Sequence, residues 1–263
     1  MGKERRISRY DDLFSLKNKV AIITGAGSGL GREVALGFGS AGATLILADR
    51  DEAPIKLLKD ELQEAGIIAH SMSVDVSDTL QVKSLIAEVI GKLEKIDVLV
   101  NCAGISKRMP SEDFDEDDWD TIMNVNLKGT FLCCKYAGKE MLKNKSGSII
   151  NFGSLGSVVA IPNSLAYCAS KGGVLQLTKT LAVEWAGRGV RVNVVGPGTF
   201  KTPLLESCIK DDPEYGKMML ERFPIGRFGE PNEIVGICLY LASSASSYAT
   251  GGMFFIDGGC TAY

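Results

Sequence analysis

The sequence predicts a single α/β domain built on a doubly wound, seven-stranded parallel sheet with helices on both faces. Two observations carry that expectation. Seven short apolar runs alternate with longer stretches whose apolar residues recur at helical spacing. The first run also opens into a glycine-rich turn that leads directly into a helical stretch. With 263 residues and 45% hydrophobic content the chain can bury a large core, and no linker, repeat or low-complexity run divides it.

Val20 to Thr24 reads as a buried strand because Val20-Ala21-Ile22-Ile23 contains no polar side chain. Thr24-Gly25-Ala26-Gly27-Ser28-Gly29-Leu30-Gly31 follows, and Arg32 to Ser40 is amphipathic. Glycines there let the backbone turn sharply and let a pyrophosphate approach the helix N-terminus, whose unpaired N–H groups favour an anion. Further strands are expected at Thr44 to Asp49, Ala69 to Val74, Asp97 to Asn101, Ser148 to Phe152, Arg191 to Val195 and Met253 to Ile256. Helices fall between them at Glu52 to Ala65, Leu80 to Leu93, Trp119 to Leu142, Leu165 to Ala186 and Pro231 to Leu241. The acidic run Glu112 to Asp118 suits the entry of the helix at Trp119, where carboxylates meet the positive dipole end. Asp49 ends the second strand about 20 residues past the glycine turn, where a carboxylate accepts from the adenosine ribose hydroxyls and repels a 2′-phosphate. NAD is therefore expected over NADP. Arg50, the next residue, is a cation that works against that preference.

Tyr167 and Lys171 stand four residues apart, which on a helix puts a phenol and an ammonium on one face. A free phenol has a pKa near 10, too high for proton exchange at neutral pH, and a nearby ammonium lowers it by stabilising the phenolate. The pair is a candidate acid/base. Ser154, just past the fifth strand, is placed to donate to a substrate oxygen. Lys107 and Arg108 follow the fourth strand on the carboxyl edge where ligands bind in such sheets, and can grip a carboxylate or remain solvated loop charges.

Thr-Gly-x-x-x-Gly-x-Gly at Thr24 to Gly31, Asn101-Cys102-Ala103-Gly104, and Tyr-x-x-x-Lys at Tyr167 with Ser154 upstream resemble the short-chain dehydrogenases/reductases, which have a Rossmann fold. The resemblance covers nearly the whole chain and continues through Asn126, Asn193, Pro197-Gly198 and Asp257-Gly258-Gly259. It departs at Cys102, where the family usually has a second Asn. It implies a proton relay of Asn126, Ser154, Tyr167 and Lys171, with Lys171 also on the nicotinamide ribose. The cofactor would meet Gly25, Ser28, Gly29, Leu30 and Gly31, then Asp49 and Arg50, with Asp75 and Val76 at the adenine. Asn101, Ala103, Gly104, Pro197, Phe200 and Thr202 would line the rest of its path. Leu13-Phe14-Ser15-Leu16, Gly104-Ile105 before Lys107-Arg108, Phe200-Lys201-Thr202 and the tail from Gly258 to Ala262 are similar to gluconate 5-dehydrogenases and related sugar-acid members.

The expected reaction is therefore NAD-dependent interconversion of a secondary alcohol and a ketone on a sugar acid or polyol, with Ser154, Tyr167, Lys107 and Arg108 toward substrate. A 3-oxoacyl thioester reductase shares the core motifs, and a dinucleotide-sensing protein without turnover is a further alternative. Residues 1–16 read as an N-terminal extension to a domain over 17–263, and 198–230 as a mobile substrate lid. The resemblance also implies a homotetramer packed through the Trp119 to Leu142 and Leu165 to Ala186 helices, with a C-terminal contact through Phe254 and Phe255.

Composition narrows the partners. A net charge of -3 with scattered Lys and Arg offers no footprint for nucleic acid. Met1 to Arg6 lacks the apolar core of a signal peptide, so a cytoplasmic protein with no membrane partner is expected. Seven cysteines without a metal-type spacing suit reduced thiols, and the sole histidine, His70, rules out His-dependent triads and gives no reason to expect a metal.

Overall fold

The computed structural model describes residues 12–211 and 213–262. Seven strands, β1 (Val20–Thr24), β2 (Thr44–Asp49), β3 (Ala69–Ser73), β4 (Val98–Asn101), β5 (Gly147–Phe152), β6 (Val190–Pro197) and β7 (Met253–Ile256), form one sheet in the order β3-β2-β1-β4-β5-β6-β7. Every pairing is parallel, and Thr24 at the end of β1 stands opposite Asn101 at the end of β4. The chain winds outward from β1 to β3, then returns to place β4 on the other side of β1. That reversal leaves a crevice at the carboxyl ends of β1 and β4, where a ligand binds in such sheets.

Burial on both faces explains the near-continuous apolar strands. Ala21 and Ile23 of β1 join one core cluster, whereas Val20 and Ile22 join the other, as the two-residue period of a strand requires. The first cluster is covered by α1 (Gly29–Ser40), α2 (Glu52–Glu64) and α9 (Val235–Ala242), through Val34, Phe38, Ile55, Leu58, Cys238 and Leu241. The second is covered by α3 (Thr79–Leu93), α5 (Thr130–Lys143) and α6 (Leu165–Trp185), through Leu85, Val89, Leu132, Met141, Ala182 and Trp185.

The helix expected from Trp119 to Leu142 differs from the structure in an informative way. It begins earlier, as α4 (Glu116–Met123), because Asp115 caps it by accepting from the N–H groups of Asp117 and Asp118. It then widens into a π-helical stretch at Asn124–Gly129 before continuing as α5. The π segment is a local change of hydrogen bonding from i→i+4 to i→i+5, which the apolar spacing read over the whole stretch did not mark. Pro231 to Leu241 likewise divides into a 3-10 turn over Pro231–Ile234 and α9.

The segment expected as a lid folds into two helices, α7 (Pro203–Asp211) and α8 (Pro213–Glu221). Its base is drawn together where Phe200 bridges Gly229, with Lys201 N donating to Gly229 O and Gly229 N donating to Thr199 O, each at 2.9 Å. From α8, Met219 packs with Phe223 and Leu155 in a small apolar cluster of its own. The described cysteine side chains are free thiols, with Cys133, Cys134 and Cys238 in the core. His70 lies on the edge strand β3.

Most of the expected extension over residues 1–16 lies outside the described residues. Its last residue, however, belongs to the folded body: Leu16 is fully buried in the first cluster, and its N–H donates to Ala41 O at 2.9 Å. Leu16→Ala should therefore destabilise the protein by about 2–5 kcal/mol, measured by urea unfolding at fixed protein concentration. A boundary at residue 17 would make the same change neutral.

Candidate active site

The turn after β1 is shaped by what cannot fit in it. A Cβ on Gly31 would lie 2.1 Å from Gly25 O, and one on Gly25, at φ +69°, would lie 2.7 Å from Ala103 N. The bare backbone can thus approach a ligand closely while the N–H groups at the start of α1 face it. Asp49 closes the other side, its Oδ2 accepting from Gly27 N at 3.0 Å and its Oδ1 from Asp51 N at 3.1 Å. Each oxygen keeps lone-pair capacity for a ribose hydroxyl. The residues present therefore fit a dinucleotide, by the close glycine cradle and by the anchored acceptor.

The cleft at the switch point has a volume of about 450 Å³. Gly25, Ser28, Gly29, Leu30 and Gly31 form its floor, with Asp49, Arg50, Asp75 and Val76 at one end. Ala103 and Gly104 lie at its middle, and Pro197, Phe200 and Thr202 close it from β6 onward. Ser154, Tyr167 and Lys171 converge on the same cleft, and Arg108 reaches it from the loop after β4.

Each reactive side chain is held by a neighbour. Lys171, 5% exposed, donates from Nζ to Phe152 O at 2.8 Å, and its Nζ lies 5.7 Å from the centre of the Tyr167 ring. Two ammonium protons remain for other partners. Burial holds the Lys171 ammonium down at about 8 from an ordinary 10.5. Ser154 begins the turn Leu155–Ser157, its Oγ accepting from Gly156 N at 3.1 Å, which leaves its own proton to donate. Ser157 accepts from Ser154 N at 3.2 Å and donates to Lys171 O at 2.8 Å, so the serine turn is tied to α6.

Asn126 sits fully buried in the π-helical stretch. Its Oδ1 accepts from Ile105 N and its Nδ2 donates to Ile105 O, both at 2.9 Å. The same Nδ2 donates to Ser170 Oγ at 3.1 Å, and Ser170 Oγ donates to Tyr167 O at 2.7 Å. Its side chain therefore clamps the loop after β4 to the helix that carries Tyr167, and does not itself face the cleft. A Cβ on Gly104 would lie 3.3 Å from Asn126 Oδ1 and 3.4 Å from Lys171 Nζ, so that glycine is the ground between them.

Two expected residues turn their side chains away from the cleft. Asn101 does not line the cleft: it is buried behind it, its Nδ2 donating to Asn151 Oδ1 at 2.8 Å and to Cys134 Sγ at 3.3 Å. The side chain of a strand-end residue points to one face, and here that face is the interior. Lys107 also stays outside the cleft, because its exposed ammonium pairs with Asp118 on α4. Arg108, the next residue, is half-buried against the cleft.

Several lining residues had no motif to mark them. Cys102, at the position where the family usually has Asn, lines the cleft with a thiol pushed up to about 12 by burial. Asp51, Ser106, Ile161 and Ser164 line it too, as do Leu205 and Met219 of the two-helix segment. Adjacency to Asp49 was the one available signal for Asp51.

A glycine cradle, a strand-end carboxylate and a Ser, Tyr, Lys cluster on a parallel switch point define a nicotinamide-dinucleotide oxidoreductase of the Rossmann type. Comparison with known proteins agrees. A family model described as enoyl-(acyl carrier protein) reductase matches residues 25–261. The 3-oxoacyl-[acyl-carrier-protein] reductase of Thermotoga maritima is 41% identical over 93% of this chain and 98% of its own. Gluconate 5-dehydrogenase of Gluconobacter oxydans is 34% identical over 96% and 98%. A crystal structure of a gluconate 5-dehydrogenase from Burkholderia cenocepacia J2315, in complex with NADP and tartrate, superposes with a TM-score of 0.92 at 37% identity, covering 96% of this chain and 98% of that one. The chain belongs to the short-chain dehydrogenase/reductase family and is an oxidoreductase of the alcohol dehydrogenase and ketoreductase type.

Because burial lowers the Lys171 ammonium, its charge is held below about pH 8 and lost above it. Nitrogen NMR of labelled lysines in the cofactor-free protein should show one side chain with a midpoint near 8, missing from Lys171→Met. A lysine set that all titrates near 10 or above contradicts the buried, desolvated geometry.

Proposed function

We propose that the protein is an NAD-dependent dehydrogenase that interconverts a hydroxy sugar acid and the corresponding keto acid, using Tyr167 as the acid/base. The observation that carries this reading is the convergence of Tyr167, Lys171, Ser154 and Arg108 on one cleft whose far end holds Asp49. When bound, the nicotinamide accepts or supplies hydride at the substrate carbon. Ser154 Oγ, with its proton unspent, donates to the substrate oxygen and holds it toward Tyr167. The Tyr167 hydroxyl takes the substrate proton during oxidation and returns it during reduction. Lys171, tethered through Phe152 O, stabilises the phenolate charge and uses its remaining N–H donors on the cofactor ribose. Asn126 supports the relay by position: it fixes Ile105 and Ser170, and its carbonyl accepts from Thr130 Oγ1 at 2.7 Å.

Arg108 is the substrate-recognition residue in this reading. A guanidinium forks two N–H groups onto a carboxylate, and this one is half-buried at the same cleft as Ser154. Lys107, the other cation expected toward substrate, pairs with Asp118 at the surface and is given no role in this reading. NAD is favoured because Asp49 is fixed to accept from ribose hydroxyls, an arrangement that opposes a 2′-phosphate. Named relatives that act on sugar acids and polyols, 2-dehydro-3-deoxy-D-gluconate 5-dehydrogenase of Bacillus subtilis and galactitol 2-dehydrogenase of Cereibacter sphaeroides among them, support the substrate class. The helices α7 and α8 act as a lid over the substrate, with Leu205 and Met219 as its inner surface. A cytoplasmic homotetramer completes the proposal: Phe131 of α5 and Val183 of α6 are exposed, Val183 by 84%, as helices awaiting a partner would leave them. Among the described residues, no helix is long and apolar enough to cross a membrane.

Two experiments test this. Tyr167→Phe keeps the ring and removes the exchangeable proton, so cofactor binding should persist while kcat falls at least about 100-fold; near-full turnover would sink the proton-transfer role. Arg108→Ala should raise KM for a sugar acid about tenfold or more and leave that of a neutral polyol of similar size within about twofold. Equal effects on the two substrates, or turnover only with 3-oxoacyl thioesters, would overturn the sugar-acid reading.

A further inference from the structure

Ser164 lines the same cleft as Ser154, Tyr167 and Arg108, and the proton transfer makes no use of it. It holds the N-cap position of α6, three residues before Tyr167 and so one turn away on the same side of the helix. At 4% exposure it is buried like a core residue. A serine at an N-cap ordinarily accepts from an N–H group of the first turn, yet this one makes no capping bond. Within the described residues its hydroxyl has a single partner, Pro162 O at 3.5 Å, which is the outer limit for such a bond. Its neighbours are better served: Ser157 Oγ donates to Lys171 O at 2.8 Å, and Ser170 Oγ to Tyr167 O at 2.7 Å. A buried hydroxyl normally finds a good partner. One that lines a ligand cleft finds it in the ligand.

The backbone fixes where that hydroxyl stands. Asn163, at φ +61°, turns the chain sharply into the helix, a conformation that asparagine tolerates. Ser164 N donates to Ile161 O at 3.2 Å, and Ser164 O accepts from Cys168 N at 2.9 Å. Asn163 O accepts from Met109 N at 2.9 Å, next to Arg108. Ser164 therefore stands at the junction of the helix that carries Tyr167 and the loop that carries Arg108.

We propose that Ser164 Oγ binds an oxygen on the carbon next to the one that is oxidised, so that the substrate is a vicinal diol and the product an α-hydroxy ketone. This rests on the reading of Tyr167 as acid/base and narrows the sugar-acid class to members with that neighbouring hydroxyl. The reacting oxygen lies against Ser154 and Tyr167, its proton passes to Tyr167, and the hydride passes from the same carbon to the bound nicotinamide. The neighbouring oxygen both donates to Ser164 Oγ and accepts from it. A substrate without that oxygen leaves the serine hydroxyl buried and poorly paired, which is the stronger source of discrimination. A 3-oxoacyl thioester is such a substrate, since neither carbon beside its ketone bears oxygen.

The test uses two pairs of four-carbon probes with the full chain and the dinucleotide that gives faster turnover. One pair is anionic, 2,3-dihydroxybutyrate and 3-hydroxybutyrate; the other is neutral, butane-2,3-diol and butan-2-ol. In the wild type kcat/KM for the diol should exceed that for the mono-alcohol about tenfold or more in each pair. Ser164→Ala should bring both ratios to within about threefold of unity, at an unfolding temperature close to that of the wild type, because no capping bond is lost. Ser164→Cys, which keeps nearly the native volume with a weak S–H donor, should recover at most a small part of the preference. A diol preference that survives in Ser164→Ala, or a wild type that shows none or oxidises neither diol, overturns the proposal. An anionic pair used no better than the neutral one overturns the sugar-acid reading instead, and a loss of diol preference in Ser164→Ala within the neutral pair still supports the role of Ser164.

Discussion

A single buried ammonium organises this site. Lys171 has been taken out of water, at a desolvation penalty visible in its lowered proton affinity, and the carbonyl of Phe152 at the end of β5 is its fixed protein partner. That bond ties the helix carrying Tyr167 to the centre of the sheet. It also sets the height of the ammonium beside the phenol ring, so the spacing of the acid/base pair follows from sheet and helix packing rather than from a flexible side chain. Ser157 repeats the tie one turn away by bridging Ser154 N and Lys171 O. The serine turn, the lysine and the tyrosine are therefore tied to one another.

A second layer of bonds extends that rigidity to the loop after β4. Asn126 uses its amide as a peptide would, exchanging two hydrogen bonds with Ile105 from within the π turn where it stands. Met109 N donates to Asn163 O at 2.9 Å, stapling the same loop to the segment that precedes Tyr167. Arg108 thus stands on a loop held at both ends. The apolar contact of Met219 and Phe223 with Leu155 brings the two-helix segment against the serine turn.

Charge is distributed along the cleft in a graded way. One end gathers Asp49, Asp51 and Arg50, whereas the other holds Lys171 and Arg108. In the proposed reading, a dinucleotide with its ribose hydroxyls at the first end would bring its reactive ring to the second.

The order of strands, the glycine cradle, Asp49 and the Tyr167 to Lys171 pair were legible in the sequence because each depends on local spacing. A strand followed by a turn and a helix, or two side chains one helical turn apart, is fixed by backbone geometry over a few residues. What tertiary structure alone decided is where side chains of equal sequence claim ended up. Asn101 turned inward to Asn151 while Ala103 lined the cleft, and Lys107 went to Asp118 while Arg108 faced the site. The π turn at Asn126, the burial of Leu16, and the arrival of Leu205 and Met219 at the cleft are likewise products of packing between elements far apart in the chain. Local pattern determines which element forms; which face of that element meets a partner is settled only when the partner is in place.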